Sequence, residues 1–262
     1  MEQVEKITPA ILFVTAKTRA KAFLIHLLIS TLILIVLSYW LVFIWYPGPL
    51  FFTDGGYQGL WLILGCDLVL GPLITLIIFN PNKATSLIKK DLLAIGFIQL
   101  AALSGGVWAT WESRPAGISF VETNGKFHTF YAHELITQRL PADHATHFSD
   151  QSPALIFIEP AAEDDVDKLL ASISKIQSGI FEWSQGDLFS SFPQNLERFI
   201  AAKKFNSDFF ENAKVTKKIQ DNINQDNLVL YPVIHAGHYQ SRLLLINQNG
   251  KLVNHFAMDA IQ

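Results

Sequence analysis

The chain has 262 residues, of which 50% are hydrophobic, only 16% are charged and 20 are phenylalanine. So much apolar and so little charged sequence is unusual for a soluble protein, and the net charge of −3 offers no basic surface for nucleic acid. A single cysteine, Cys66, excludes an internal disulfide, so any exported domain must be stable without one.

Three apolar runs fill most of the first 111 residues, at positions 23–45, 60–79 and 92–111. A helix needs about 20 mainly apolar residues to cross the hydrocarbon core of a bilayer, and each run meets that length. We therefore predict a three-helix transmembrane region over residues 23–111, after a cytoplasmic segment of residues 1–22. A cleaved signal peptide is the competing interpretation of the first run, but this run is too long and does not end in small residues.

The orientation follows from the lysines and arginines that flank the runs. Four of them precede the first run, the loop of residues 46–59 has none, and the loop of residues 80–91 has three. Positive charge is retained on the cytoplasmic side of a membrane. We therefore predict a cytoplasmic N-terminus, and three crossings then place residues 112–262 on the far side.

Asp67 is the unusual residue of the second run, because a carboxylate at this depth costs about 2.5–3.5 kcal/mol on insertion scales. It needs a partner or a proton. The candidate partners within the chain are polar residues of the three runs: His26, Thr31, Ser38, Thr75, Gln99 and Ser104. Counting helix rise along the first run places His26 too far from Asp67 for direct pairing. Three roles stay open for Asp67, namely an internal hydrogen bond, a contact with a second protein and a protonated carboxyl group without a role.

Gly71, Pro72 and Thr75 follow Asp67 on the same run. Proline removes a helix hydrogen bond, so we predict a kink next to Gly71. Such a kink opens a groove for a partner helix, and small residues allow helices to approach closely in lipid. The alternative is that these residues only pack the three helices together. Asp67, Gly71, Pro72 and Thr75 are therefore a candidate intramembrane polar site, for partner contact or for structure.

A turn is predicted immediately after the first run, at Trp45, Tyr46, Pro47, Gly48 and Pro49. Two prolines around a glycine fix a sharp bend, which lies on the far side of the membrane in the predicted topology. The apolar residues 50–52 that follow suit either a docking surface at the membrane interface or a plain tight connection.

Residues 112–262 are enough for one exported domain with its own core. Two regions, around Asn124-Gly125 and Asn249-Gly250, are predicted β-hairpins because Asn-Gly accepts the positive φ of a tight turn. Residues 154–158 and 228–235 are predicted strands, and residues 163–177 and 195–224 are predicted helical. The predicted fold class is thus an α-helical membrane region of three transmembrane helices followed by an α+β domain with an antiparallel sheet.

Three segments of the membrane half resemble the signature segments of the type IV pilin accessory proteins, the TfpX/TfpZ family. They are Arg19-Ala-Lys-Ala-Phe-Leu-Ile-His-Leu-Leu-Ile-Ser30, Trp45-Tyr-Pro-Gly-Pro-Leu-Phe51 and Asp67-Leu-Val-Leu-Gly-Pro-Leu-Ile-Thr-Leu-Ile-Ile-Phe-Asn-Pro81. The resemblance is strong over about residues 19–115 and extends to the rest only in outline. Residues 1–18 depart from the usual start of the family.

The resemblance implies a multi-pass protein of a bacterial inner membrane with a periplasmic C-terminal domain. It also implies a function: a pilin-specific chaperone or assembly factor that promotes the stability or assembly of a cognate type IV major pilin. The expected partners are that pilin, the lipid bilayer and other pilus assembly proteins, without nucleic acid. The alternative functions are a scaffold component of the pilus assembly machine and a membrane-bound ligand sensor, although the short cytoplasmic segments leave little room for an output domain.

An enzyme is the other functional class to consider, and the common motifs of enzyme active sites are missing from the sequence. The sequence contains no Gly-x-Ser-x-Gly, no phosphate-binding loop, no His-Glu-x-x-His and no Cys-x-x-Cys. Six histidines of the exported part form two groups: His128, His133, His144 and His147, and then His235 and His238. Neither group has the spacing of a known zinc site. We expect no enzymatic activity, no cofactor and no metal.

Overall fold

The computed structural model of the chain describes residues 9–162, 164–202, 217 and 230–258. It divides into two compact units. One, the helical unit, comprises Met1–Leu41 and Tyr57–Trp111, and the other, the sheet unit, comprises Val42–Gly56 and Glu112–Gln262. The segment between the first two apolar runs therefore groups with the C-terminal part of the chain.

The helices and strands are numbered along the whole chain. The α-helices are α1 (Pro9–Trp40), α2 (Leu50–Thr53), α3 (Gly56–Ile63), α4 (Gly71–Ile78), α5 (Thr85–Glu112), α6 (Ala132–Thr137), α7 (Val166–Gln177) and α8 (Leu196–Ala202). The β-strands are β1 (Pro115–Val121), β2 (Lys126–Tyr131), β3 (Leu155–Ile158), β4 (Phe189–Ser191), β5 (Leu230–Ala236), β6 (Ser241–Asn247) and β7 (Leu252–Ala257). Residues 203–216 and 218–229, which include most of the second predicted helical stretch, lie outside the described residues.

Three helical segments are long and apolar enough to cross a membrane by length and composition: Lys17–Trp45, Gly56–Ile78 and Thr85–Glu112. Their mean hydropathies are 2.6, 2.2 and 1.8. Most of their apolar side chains are not covered by other parts of the unit, which indicates a protein associated with a membrane. In α5, Ile95 is the buried residue, so this helix is the least covered of the three.

The second apolar segment changes helix type along its length. Between α3 and α4, Leu64–Leu70 form a π-helical segment in which the Gly71 N–H donates to the Cys66 carbonyl, five residues back. Pro72 follows in the first turn of α4. Because proline has no N–H and its ring clashes with the preceding turn of an α-helix, a wider turn ahead of it avoids that clash. The irregularity at Gly71 and Pro72 is thus a π-helical segment.

The sheet is mixed, and the prediction of an antiparallel sheet was wrong in this respect. Seven strands lie in the order β4-β3-β1-β2-β5-β6-β7. The β1–β2 and β6–β7 hairpins form as predicted, but β1 pairs with β3 in parallel and β2 with β5 in parallel. β3 begins at the end of the sheet where β2 finishes but lies on the far side of β1, so it runs parallel to β1. β5 begins at the end of the sheet opposite to where β4 finishes, so it runs parallel to β2.

Both faces of the sheet are buried. Along β3, Leu155 and Phe157 pack into one cluster, and Ile156 and Ile158 pack into another on the opposite face. The first cluster contains five buried phenylalanines and Leu50 of α2. The short helix after the predicted turn therefore contributes to the core of the sheet unit.

The helix α7 ends at Gln177 as predicted but begins at Val166, three residues later than predicted, and its apolar side chains are exposed. The Asp165 carboxylate caps it by accepting from the Lys168 N–H at 3.0 Å, and Gly179 follows with φ of +89°. None of its residues is buried, and Val166 and Leu170 are each 58% exposed. Ser172 and Lys175 are the half-buried residues of α7, and Gln185 Nε2 donates to the Ser172 carbonyl at 3.2 Å.

Candidate functional site

A cavity of about 600 Å³ lies within the helical unit, between α1, the segment from Leu64 to Ile78, and α5. Its lining is mostly aliphatic, and seven polar side chains interrupt it. These are Thr18, Lys21, His26, Ser30, Asp67, Thr75 and Gln99. We call this cavity with its seven polar residues the polar cleft. It brings together residues from all three apolar segments.

Asp67 lies on the π-helical segment and is only 7% exposed. Among the described residues, its carboxylate has no hydrogen-bond partner. π-Helical turns often occur at functional sites because they redirect a side chain from the regular helical pattern. Here the turn carries a buried acid into a mostly aliphatic cavity, where an unpaired carboxylate is costly.

His26 and Thr75 join α1 to α4 within the cleft. Their Nδ1 and Oγ1 atoms are 2.6 Å apart, and the Thr75 hydroxyl donates to the Gly71 carbonyl at 3.2 Å. Since the hydroxyl has one proton, it accepts the hydrogen bond from His26 Nδ1–H. His26 thus lines the same cavity as Asp67, but its hydrogen bond among the described residues goes to Thr75 and not to Asp67.

Gln99 approaches the backbone of Gly71 closely. A Cβ atom on residue 71 would lie 1.7 Å from Gln99 Nε2, so the amide in its observed position requires glycine there. Gln99 Nε2 is buried and has no hydrogen-bond partner in the described part of the chain. The polar cleft therefore holds an acceptor, Asp67, and a donor, Gln99, that are both unsatisfied.

The other polar candidates from the apolar runs play no part in the cleft. Thr31 donates to the Leu27 carbonyl of its own helix at 2.7 Å. Ser38 and Ser104 do not line the cavity. The structure therefore brings together Asp67, Thr75, His26 and Gln99 and leaves these three hydroxyl groups elsewhere, while Gly71 and Pro72 are buried beside the cleft at the start of α4.

The predicted turn packs within the sheet unit. Trp45 ends a π-helical turn, Leu41–Trp45, and Gly48 has φ of +61° between Pro47 and Pro49. Tyr46 is only 1% exposed, and its hydroxyl is 3.2 Å from Ser113 Oγ. The turn thus directs α2 into the core of the unit.

Asp54, directly after α2, is the centre of a hydrogen-bond network that the sequence did not indicate. Its Oδ2 accepts from Thr53 Oγ1 at 2.5 Å and from Thr129 Oγ1 at 2.9 Å. Its Oδ1 accepts from Tyr131 Oη at 2.8 Å and from the His238 N–H at 3.2 Å. The carboxylate is 4% exposed and all four bonds come from neutral donors. Asp54 thereby fixes α2 to β2 and to the loop after β5.

His235 extends this network into the interior. Its Nε2 is 2.9 Å from Thr129 Oγ1, and since that hydroxyl donates to Asp54, Nε2 carries the proton. Burial lowers the pKa of His235 to about 4, although the nearby Asp54 charge opposes the shift. Burial also lowers the pKa values of His128 and His255 to about 4. All three histidines are neutral near pH 7.

The remaining histidines of the two sequence groups serve separate contacts. His128 stacks on Trp183 with ring centroids 4.6 Å apart, and His144 Nε2 is 3.2 Å from the Gly186 carbonyl. No three His, Cys, Asp or Glu side chains of the described residues are grouped so that they could hold a metal ion.

Comparison with known proteins gives related sequences but no related structure. No family model matches the chain, and no solved structure matches it. Two fimbrial assembly proteins of Dichelobacter nodosus, those of serogroup E1 and serogroup I, are each 36% identical to it over 96 residues. That match covers 37% of this chain and 37% of each of these relatives, so only about a third of their length is represented.

A third similar protein is the Dichelobacter nodosus fimbrial assembly protein of serogroups C1 and C2. It is also 36% identical over 96 residues, which again form 37% of this chain but 73% of the relative. Since the match covers more than two thirds of this relative, the chain belongs to the family of fimbrial assembly proteins.

Proposed function

We propose that this protein is a pilin-specific chaperone or assembly factor, embedded in the bacterial inner membrane, for a cognate type IV major pilin. The observation that carries the proposal is the polar cleft among three apolar helices in a chain of the fimbrial assembly family. The resemblance of residues 19–115 to the TfpX/TfpZ accessory proteins supports the same function. In this proposal the N-terminus is cytoplasmic, the sheet unit is periplasmic, and the protein acts without catalysis.

The two units of the protein suit a pilin as the partner. Before assembly, a pilin is a single-span protein with an apolar helix in the membrane and a globular head in the periplasm. A helper must therefore offer one surface in lipid and another in water. In lipid, helices associate through close packing and polar pairing, because lipid tails are as apolar as leucine. The helical unit offers a cavity with unsatisfied polar groups, and the sheet unit offers a folded domain with its own core.

Copurification distinguishes a chaperone from a scaffold. The full-length tagged protein is extracted with mild detergent from cells blocked in fibre assembly and from cells that lack the pilin. We expect the first extract to contain the cognate pilin bound to the protein, and a pilin of a different sequence type to be captured less well. An unrelated three-span membrane protein with the same tag controls for nonspecific capture.

The scaffold alternative predicts the opposite pattern. The chaperone proposal would be contradicted if the protein retains other pilus assembly proteins in the extract without pilin and captures no pilin in the other extract. The two extracts come from different strains, so the amount of tagged protein is matched by immunoblot before the comparison.

A further inference from the structure

We propose that the polar cleft receives the apolar membrane helix of the pilin, and that Asp67 accepts a hydrogen bond from a cationic or N–H/O–H donor group on that helix. This inference rests on the proposed function and specifies the contact within the membrane. The occupant is a mainly apolar spanning helix with one donor group at the depth of Asp67, and Gln99 Nε2 donates to an acceptor on the same helix.

The size and lining of the cleft suit the side chains on one face of a protein helix. A volume of about 600 Å³ is that of a site for a drug-sized ligand, so the cleft takes several side chains of a helix and not the whole helix. The α5 wall provides Ile95, Leu100 and Leu103, and Gly96 on the same wall has no atom within 4 Å of the position of a Cβ. An incoming helix can therefore approach α5 closely at Gly96, as small residues permit in membranes.

The unsatisfied polar groups of the cleft favour a helix over lipid as its occupant. Asp67 is buried without a hydrogen-bond partner among the described residues, and Gln99 Nε2 is buried without an acceptor there. Acyl chains have neither donors nor acceptors, so lipid in the cleft leaves both groups unsatisfied, each at a cost in free energy. A helix that carries a donor satisfies Asp67, and the negative charge of Asp67 favours a cationic donor over a neutral one.

Two further polar residues of the cleft are already paired. His26 Nδ1 bonds to the Thr75 hydroxyl, which donates to the Gly71 carbonyl, so neither the Nδ1–H of His26 nor the hydroxyl proton of Thr75 is available for a partner. Asp67 and Gln99 come from different walls, the π-helical segment and α5. A helix lying between these walls meets both.

Photo-crosslinking from two positions of α5 tests this contact. Leu100 and Ile98 are exposed to nearly the same extent, 64% and 66%, but only Leu100 lines the cleft. A photoreactive amino acid replaces each residue in turn in the full-length protein, in cells that make the pilin. We expect crosslinks to the membrane helix of the pilin from position 100 and few from position 98.

Asp67 variants test the pairing itself. With the crosslinker at position 100, Asp67→Asn is expected to lower the crosslink yield by about tenfold, since the loss of one charged hydrogen bond of about 1.4 kcal/mol corresponds to that ratio. Asp67→Glu keeps the charge and is expected to retain most of the yield. The amounts of both variants in the membrane are matched by immunoblot, which excludes a general loss of folded protein.

The outcomes separate this inference from the proposed function. Each of three results would overturn the inference. The first is an equal yield from positions 98 and 100, and the second is crosslinking from position 100 only to lipid or to a second copy of this chain. The third is an unchanged yield with Asp67→Asn. If the pilin still copurifies in those cases, the proposed function stands with another contact surface. If no pilin copurifies and none is crosslinked, both fail.

Discussion

Asp54→Ala is expected to lower the free energy of unfolding of the sheet unit by about 3–5 kcal/mol. The carboxylate is 4% exposed and accepts four hydrogen bonds, from Thr53, Thr129, Tyr131 and the His238 backbone. Removing it leaves the Thr129 and Tyr131 hydroxyl groups and the His238 N–H without this acceptor in the interior, whereas the Thr53 hydroxyl keeps the Pro49 carbonyl at 3.1 Å. It also removes the side-chain hydrogen bonds that join α2 to β2, and α2 is then held by Leu50 in the core and by the Tyr239 N–H, which donates to the Thr53 carbonyl.

Urea titration of the detergent-solubilised full-length protein measures this effect, with brief proteolysis at each urea concentration to report the folded fraction of the sheet unit. We expect the midpoint to fall by about 1–2 M, because urea m-values are about 1–3 kcal/mol/M. Asp143→Ala, which removes an exposed carboxylate from the same unit, is the matched control and should change stability by less than about 0.5 kcal/mol. A midpoint for Asp54→Ala equal to that of the control would refute the role assigned to this network.

The sheet unit is also expected to lose stability as the pH falls from about 6.5 to about 4. Burial holds the pKa of His235 at about 4 in the folded chain, whereas an unfolded histidine has a pKa of about 6.5. Between these values the unfolded chain binds the proton and the folded chain does not, so acid favours unfolding. The loss is complete below the folded pKa and amounts to about 3 kcal/mol for His235 alone.

His128 and His255 act in the same direction, since burial also lowers their pKa values to about 4. For His255, protonation would additionally break the 2.8 Å hydrogen bond that its Nδ1 accepts from Arg242. Urea midpoints at pH 7.5, 6, 5 and 4.5 measure the total slope. His235→Gln keeps an N–H donor for Thr129 but cannot titrate, so it should flatten the slope, whereas the exposed His147→Gln should not. An unchanged slope in His235→Gln would show that His235 is not a source of the acid sensitivity.

The features that the sequence predicted correctly depend on neighbouring residues. Hydropathy over about 20 residues is a local property, and it was enough to locate the three apolar helices. The turns at Gly125 and Gly250 are also local, and both glycines have positive φ, 65° and 72°. These signals needed no information on how distant parts of the chain meet.

The features that the sequence did not predict depend on distant residues. The parallel pairs β1–β3 and β2–β5 join strands separated by helices and loops, so no local pattern specifies them. Asp54 lies 75, 77 and 184 residues from Thr129, Tyr131 and His238, and in the sequence it is an ordinary acid in a glycine-containing loop. The available signal was its place two residues after the apolar residues 50–52, which follow the predicted turn.

The candidate site in the membrane half was partly predictable. Asp67 stands out in an apolar run because of its cost in lipid, and Thr75 follows from its place on the same run. His26 and Gln99 were only two of six polar candidates. Choosing them required the packing of α1 and α5 against the second apolar segment, which the sequence of each run does not specify.

The most direct test of the central claim follows the pilin itself. Newly made pilin is labelled briefly in wild-type cells, in cells that lack this protein and in cells in which the gene is restored, and the fraction that reaches surface fibres is measured. The account predicts that most labelled pilin fails to reach fibres without the protein and that the restored gene corrects this. An unchanged fraction in the deletion strain would contradict the account, because a cognate pilin would then be assembled without its proposed helper.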